Sequence, residues 1–211
     1  GNSIDLRDIA TIKAMWNEKP ERIFYNGEVG ISIQVSNTNN EDLIKSADEI
    51  NIYIEKLYPH FDVDLIDAQQ LGDVAPSQDE EKVHQQFVDS GIPLAADRLV
   101  KSNIHFDAII GFSIGGTIGW KAIQAGAKVD ALFAFSSTRL RTESIPLKKE
   151  ANLYFGELEK HGPDTNWLNR MKITPIIVPN FGHQIYREPS FIETFCEDLI
   201  AQYSEKESCC S

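Results

Sequence analysis

Gly111-Phe112-Ser113-Ile114-Gly115 sets a serine where its hydroxyl could act as a nucleophile. The run before it, Phe106-Asp107-Ala108-Ile109-Ile110, predicts a short buried strand. The run after it, Gly116 to Ile123, predicts a helix that opens with small residues. A strand, a sharp turn bearing serine and a helix together lift that side chain clear of a sheet edge. The flanking glycines allow the tight turn and let strand and helix approach closely. The same turn brings the Ile114 N–H near the point where negative charge would develop on an attacked carbonyl. The chemistry on offer is acyl transfer. With 13 Gly in 211 residues the bare pattern carries little weight, so the strand and helix around it carry the argument. Gly30-Ile31-Ser32-Ile33-Gln34 begins the same way, lacks the second Gly and lies inside an alternating strand, so it is not such a turn.

A serine nucleophile needs a base, and five histidines compete for that role. His60 precedes a strand and reads as a surface loop residue, and His84 lies in a polar helix. His105 opens the strand that leads to Ser113. At ~3.3 Å per residue it stands ~26 Å away, at the wrong edge of the sheet. His161 follows the penultimate strand and is nearer the right edge. His183 is the best placed. It lies in Pro179-Asn180-Phe181-Gly182-His183, after the last apolar strand and before the last helix, on the edge where parallel strands end.

The elements that must hold these residues can be read along the chain. Ala10 to Trp16 could be a first strand. Arg22 to Tyr25 is a short strand, Asn26-Gly27 a hairpin signal and Gly30 to Val35 the returning strand. A helix follows, capped by Asn39 or Asn40, with Leu43, Ala47, Ile50, Ile54 and Leu57 on one apolar face. Phe61 to Ile66 is the next strand. A polar loop from about Gln69 to Glu81 leads to a helical region broken at Gly91-Ile92-Pro93 and resumed over Leu94 to Ser102. Beyond the Ser113 turn, strands are predicted at Val129 to Phe135, Asn152 to Phe155 and Ile173 to Val178. Short and long helices are predicted at Asp164 to Met171 and Ser190 to Tyr203. Strands that alternate with helices predict a mostly parallel sheet covered on both faces, and the opening hairpin strands predict an antiparallel N-terminal edge. No repeat or linker divides the chain, so residues 1–203 are expected to form one domain, with 204–211 a polar, flexible C-terminal tail.

In this order of elements the chain resembles the α/β-hydrolase superfamily. Phe106 to Gly116, Phe-Asp-Ala-Ile-Ile-Gly-Phe-Ser-Ile-Gly-Gly, looks most like small esterases of the fungal serine-hydrolase and dienelactone-hydrolase groups. The resemblance runs from about Gly30 to Tyr203 and is specific at the Ser113 turn and the His183 loop. It implies a nucleophile, an acid and a histidine in that chain order. It also implies an acid after the penultimate strand, in a Gly-x-x-Asp-x-x-x-Pro frame. Gly156 to Pro163 fits that frame with Glu159 in the acid position; Asp164 and Glu157 remain alternatives. The resemblance further implies a second oxyanion donor after the Gly30–Val35 strand. The matching stretch is Val35-Ser36-Asn37-Thr38, which departs from the family's usual His-Gly sequence, so that donor would be the Asn37 or Thr38 amide.

The bulk properties narrow the partners. A hydrophobic share of 42% with 25% charged residues is that of a soluble globular protein. A net charge of −12 repels phosphate backbones, so no nucleic-acid partner is expected. No run approaches the ~20 apolar residues of a membrane span, and no basic stretch followed by an apolar run marks a secretory leader. Cys196 reads as a buried apolar residue of the last helix. Cys209 and Cys210 lie in the tail, where Ser208 holds the position at which a prenylation signal needs cysteine. Nothing predicts a disulfide framework, a metal site or a cofactor, and the expected compartment is the cytoplasm.

Only a short stretch, Ser136 to Glu150, separates two strands where this fold commonly inserts a lid, so no separate cap domain is expected. Ser137-Thr138-Arg139-Leu140-Arg141 could line the mouth; its two arginines could contact an acidic substrate, but the expected reading is a solvated loop. The expected function is a serine hydrolase acting on a small or linear carboxylic ester or thioester. The rivals are a non-catalytic binding protein of the same fold and a small serine peptidase.

Overall fold

The computed structural model describes residues 30–35 and 51–208, with side chains over 51–204. Six strands form one sheet: β1 (Gly30–Val35), β2 (Asp62–Asp67), β3 (His105–Phe112), β4 (Lys128–Phe135), β5 (Glu150–Gly156) and β6 (Ile176–Val178). Their order is β2-β1-β3-β4-β5-β6, and every described pairing is parallel. The predicted strands at Ala10 and Arg22–Tyr25, and with them the antiparallel edge, lie outside the described residues, as do the helix residues up to Ile50. Gly30–Val35 is not the returning arm of a hairpin, because β1 is paired in parallel with β2 on one side and β3 on the other. The last strand is shorter than the predicted Ile173–Val178, because Pro175 has no N–H to give to the ladder.

Parallel strands buried on both faces sort their side chains with a period of two. Ala108, Ile110 and Phe112 of β3 join Ala131, Phe133 and Phe135 of β4 on one face. They meet Tyr53 and Leu57 of α1, whose described part is residues 51–57, and Ile192, Phe195 and Leu199 of α7 (Pro189–Ser208). Ile109, Leu132, Ala134 and Leu153 point to the other face. There they meet Trp120 of α5 (Ile114–Gln124) and Trp167 and Met171 of α6 (Thr165–Met171). Phe135, fully buried, contacts the rings of Phe112, Tyr154, Phe191 and Phe195, locking the top of β4 to α7.

Two predicted loops and breaks turn out differently. The polar stretch after β2 begins with a single helical turn, α2 (Ala68–Gly72), capped by the Asp67 carboxylate on the Gln69 and Gln70 amides. Ala68 and Leu71 of this turn are buried, a stabilisation too short to show as periodicity. The predicted break at Gly91 is a π-helical turn, Phe87–Gly91, linking α3 (Glu80–Gln86) to α4 (Ile92–Ser102) without interruption. Pro93, which has no N–H to give to the preceding turn, stands just after this π-helical turn. Beyond Tyr203 the last helix continues to Ser208. Among the described residues no helix is long and apolar enough to cross a membrane.

Candidate active site

Ser113 stands between β3 and α5 with φ 49° and ψ −111°, a backbone conformation that L-residues rarely adopt. Such strain is of the order of 1–3 kcal/mol and persists only where the surroundings over-determine it. Here they do. The Ser113 N–H donates to the Phe135 carbonyl at 2.8 Å, and the Ser137 hydroxyl donates to the Ser113 carbonyl at 2.8 Å. The turn also depends on two glycines. A Cβ on Gly111 would run into the Gly116 backbone, and one on Gly116 would occupy the place of the Ser137 hydroxyl.

Ser113 Oγ lies 3.3 Å from His183 Nε2, and His183 Nδ1 lies 2.6 Å from Glu159 Oε2. The Glu159 side chain is 5% exposed and that of His183 41%. A carboxylate only accepts, so Nδ1 carries the proton. In the neutral ring that leaves the Nε2 lone pair turned to the serine hydroxyl. The second Glu159 oxygen accepts from the His161 amide at 3.1 Å, so both oxygens are held.

The acid and histidine loops are joined by their backbones. Glu157 N–H donates to the Val178 carbonyl and Leu158 N–H to the Phe181 carbonyl. Asn180, in the left-handed region at φ 65°, donates its amide to the Glu157 carboxylate at 3.0 Å. The last residue of β5 must be glycine for this contact, because a Cβ on Gly156 would overlap the Phe181 carbonyl oxygen.

The structure therefore brings Ser113, His183 and Glu159 together. It gives the other two candidate acids different work: Glu157 ties down Asn180, and Asp164 caps α6 through the Trp167 amide at 2.7 Å. Ile114 opens α5 directly after the serine. Asn37 and Thr38 lie outside the described residues. His60, His84 and His161 have exposed side chains. His105 pairs with Asp130 at 2.9 Å, at the start of β3 and far from the serine. Arg141 donates to the Thr138 and His161 carbonyls, tying the stretch after β4 to the acid loop. That stretch holds one short 3-10 turn, Thr138–Thr142, and no cap. Burial pushes the Cys196 thiol up to about 12, so it carries no thiolate near neutrality.

Sequence reasoning placed Ser137 at the mouth, whereas it is buried and bonded to the Ser113 carbonyl, and it missed the turn at Ser136. Phe112 of β3 is level with Phe135 of β4, and Ser136, the residue after it, has the same φ of 49° as Ser113. Its N–H donates to the Tyr154 carbonyl of β5, as the Ser113 N–H does to Phe135. No glycine flanks this second turn, so no local motif announces it.

No protein-family model and no curated protein sequence matches the chain. Solved structures do. A predicted CIB-like hydrolase from Thermoplasma acidophilum is similar with a TM-score of 0.57 at 19% identity, over 85% of this chain and 89% of that one. A dienelactone hydrolase from Anabaena variabilis is similar with a TM-score of 0.55 at 18% identity, over 85% and 88%. The esterase Pf2001 of Pyrococcus furiosus is similar with a TM-score of 0.50 at 13% identity, over 83% and 82%. Likeness at these identities speaks for the fold, and the fold of this chain is that of the α/β-hydrolases.

Proposed function

We propose that the protein is a serine hydrolase that cleaves a small or linear carboxylic ester or thioester through an acyl-enzyme on Ser113. The observation that carries this reading is the unbroken line from Ser113 Oγ to His183 Nε2 and from His183 Nδ1 to Glu159, built on a strained serine. The hydrolase and esterase names of the structural neighbours agree with it.

His183 Nε2 takes the hydroxyl proton as Ser113 Oγ attacks the acyl carbonyl. The Glu159 carboxylate holds the ring in the tautomer that accepts at Nε2 and stabilises the imidazolium that forms. The tetrahedral oxyanion sits against the Ile114 N–H and a second amide at Asn37 or Thr38. The imidazolium returns its proton to the departing alkoxide or thiolate. Water, deprotonated by the same nitrogen, then releases the acid and restores the serine. Among the described residues no cap is inserted after β4, which favours small or linear acyl groups.

Hydrolysis of p-nitrophenyl acetate by the wild type and by Ser113→Ala tests the reading. The wild type is expected to turn over with a burst of p-nitrophenol, and Ser113→Ala to fall to background with its fold intact. Equal rates for the two proteins would overturn it. A panel of acyl esters and thioesters then ranks chain length and leaving group.

A further inference from the structure

The peptide group that joins Ser113 to Ile114 has two ends. Its oxygen is the Ser113 carbonyl, and its N–H belongs to Ile114. The Ser137 hydroxyl lies 2.8 Å from that oxygen and 3.4 Å from the Phe135 carbonyl, and its single proton goes to the nearer one. Ser137 is 1% exposed, so the bond is shielded from competing water. Its own backbone is held by the Leu140 N–H, 3.1 Å from the Ser137 carbonyl. The space for the hydroxyl exists because residue 116 has no side chain.

We infer that Ser137 is a positioning residue for oxyanion stabilisation, acting through the Ser113–Ile114 peptide. The inference rests on the reading of Ser113 as nucleophile and Ile114 N–H as oxyanion donor. A hydrogen bond to the oxygen of an amide draws electron density from its nitrogen and makes its N–H a stronger donor. It also fixes the plane of the peptide, and hence the direction of that N–H. The Phe135 carbonyl restrains the other side of the serine through its N–H. Both restraints come from the end of β4 and the turn after it, so the aim of the oxyanion donor is set from the neighbouring strand as well as by the glycines of the turn. Ser137 touches no substrate atom in this account.

The test is steady-state hydrolysis of p-nitrophenyl acetate by Ser137→Ala and Ser137→Cys, with inhibition by an aryl trifluoromethyl ketone and fluorophosphonate labelling of the wild type. The ketone forms a tetrahedral adduct whose oxyanion needs the same donor. Ser137→Ala is expected to lower kcat by about tenfold, less than the 10²–10³ lost when a whole oxyanion donor is removed. KM is expected to stay within about twofold, and the ketone Ki to rise by the same factor as kcat falls. Ser137→Cys keeps the shape of the side chain with a larger end atom that is a weak donor, so it must shift kcat and Ki in the same direction even if the alanine variant folds poorly. Wild-type kcat and Ki in the cysteine variant, or a fall in kcat with no change in Ki, would overturn the inference while a labelled Ser113 leaves the functional reading standing. An unlabelled Ser113 would overturn both.

Discussion

The Glu159 carboxylate meets His183 Nδ1 at 2.6 Å from a loop that is itself stitched to the histidine loop through Leu158 and Phe181. The pair is thus placed by backbone hydrogen bonds rather than by two free side chains finding each other. Glu159→Gln replaces an acceptor with a group that can donate to Nδ1, which favours the ring tautomer unable to accept from serine. The expected loss in kcat is about 10⁴-fold, as for the equivalent acid-to-amide change in another Ser-His-Asp site. Glu159→Asp keeps the charge but withdraws it by one methylene, and is expected to lose about 10²-fold. Steady-state kinetics on the two variants check this order. A Glu159→Asp variant as active as the wild type would show that reach does not matter.

Gly156 is where β5 passes under the histidine loop. In Gly156→Ala the new Cβ must push the Phe181 and Gly182 carbonyls away, because the overlap is with backbone. The expected cost is about 1–3 kcal/mol of stability. The expected loss of kcat is larger in proportion, since His183 moves with its loop. Thermal unfolding and kinetics on the same preparation separate the two effects. Full activity in a destabilised variant would show that the loop contact serves folding alone.

At the opposite edge of the sheet, Lys149 donates to Asp130 at 2.9 Å and His105 Nε2 lies 2.9 Å from the other oxygen. The Lys149 bond, with His105 adding to it, holds the Asp130 carboxyl below its ordinary value of 3.8. A lowered folded value means stability that is present above the unfolded value and lost as pH falls through the folded one. Wild type should therefore exceed Asp130→Asn in stability near pH 6, and the gap should close as pH falls below about 4. These groups are half-exposed, so the gap is expected to be under about 1 kcal/mol. Urea unfolding of both proteins at several pH values measures it. A gap that widens in acid would contradict the assignment.

Much of this arrangement was readable before any coordinates, for physical reasons that differ by residue. Ser113 was visible because its turn needs glycines, and glycines show in a sequence. The placement of His183 followed from chain direction: in a parallel sheet the loops after the strands share one edge, and His183 follows the last strand. Glu159 stood ahead of Asp164 and Glu157 only through the family frame from Gly156 to Pro163, with no physical reason to separate them. Three acids in one loop differ only in where each side chain lands, and the backbone of the Asn180 loop and the cap of α6 decide that. The Ser136 turn and the Ser137 bond stayed hidden because a serine with φ 49° carries no flanking mark, and because that bond joins two turns that are distant in sequence. The α2 turn was missed for a simpler reason, being shorter than the spacing that reveals a helical face.

The central claim is that Ser113 is a nucleophile activated by His183, and covalent labelling with a fluorophosphonate reads it directly. Intact-mass and peptide analysis of the folded protein should show one adduct, on the peptide that carries Ser113. Ser113→Ala should take up none, and His183→Ala should label more slowly by about 10²-fold or more. Folded wild-type protein that stays unmodified, or that labels elsewhere while Ser113→Ala labels equally, would contradict the account.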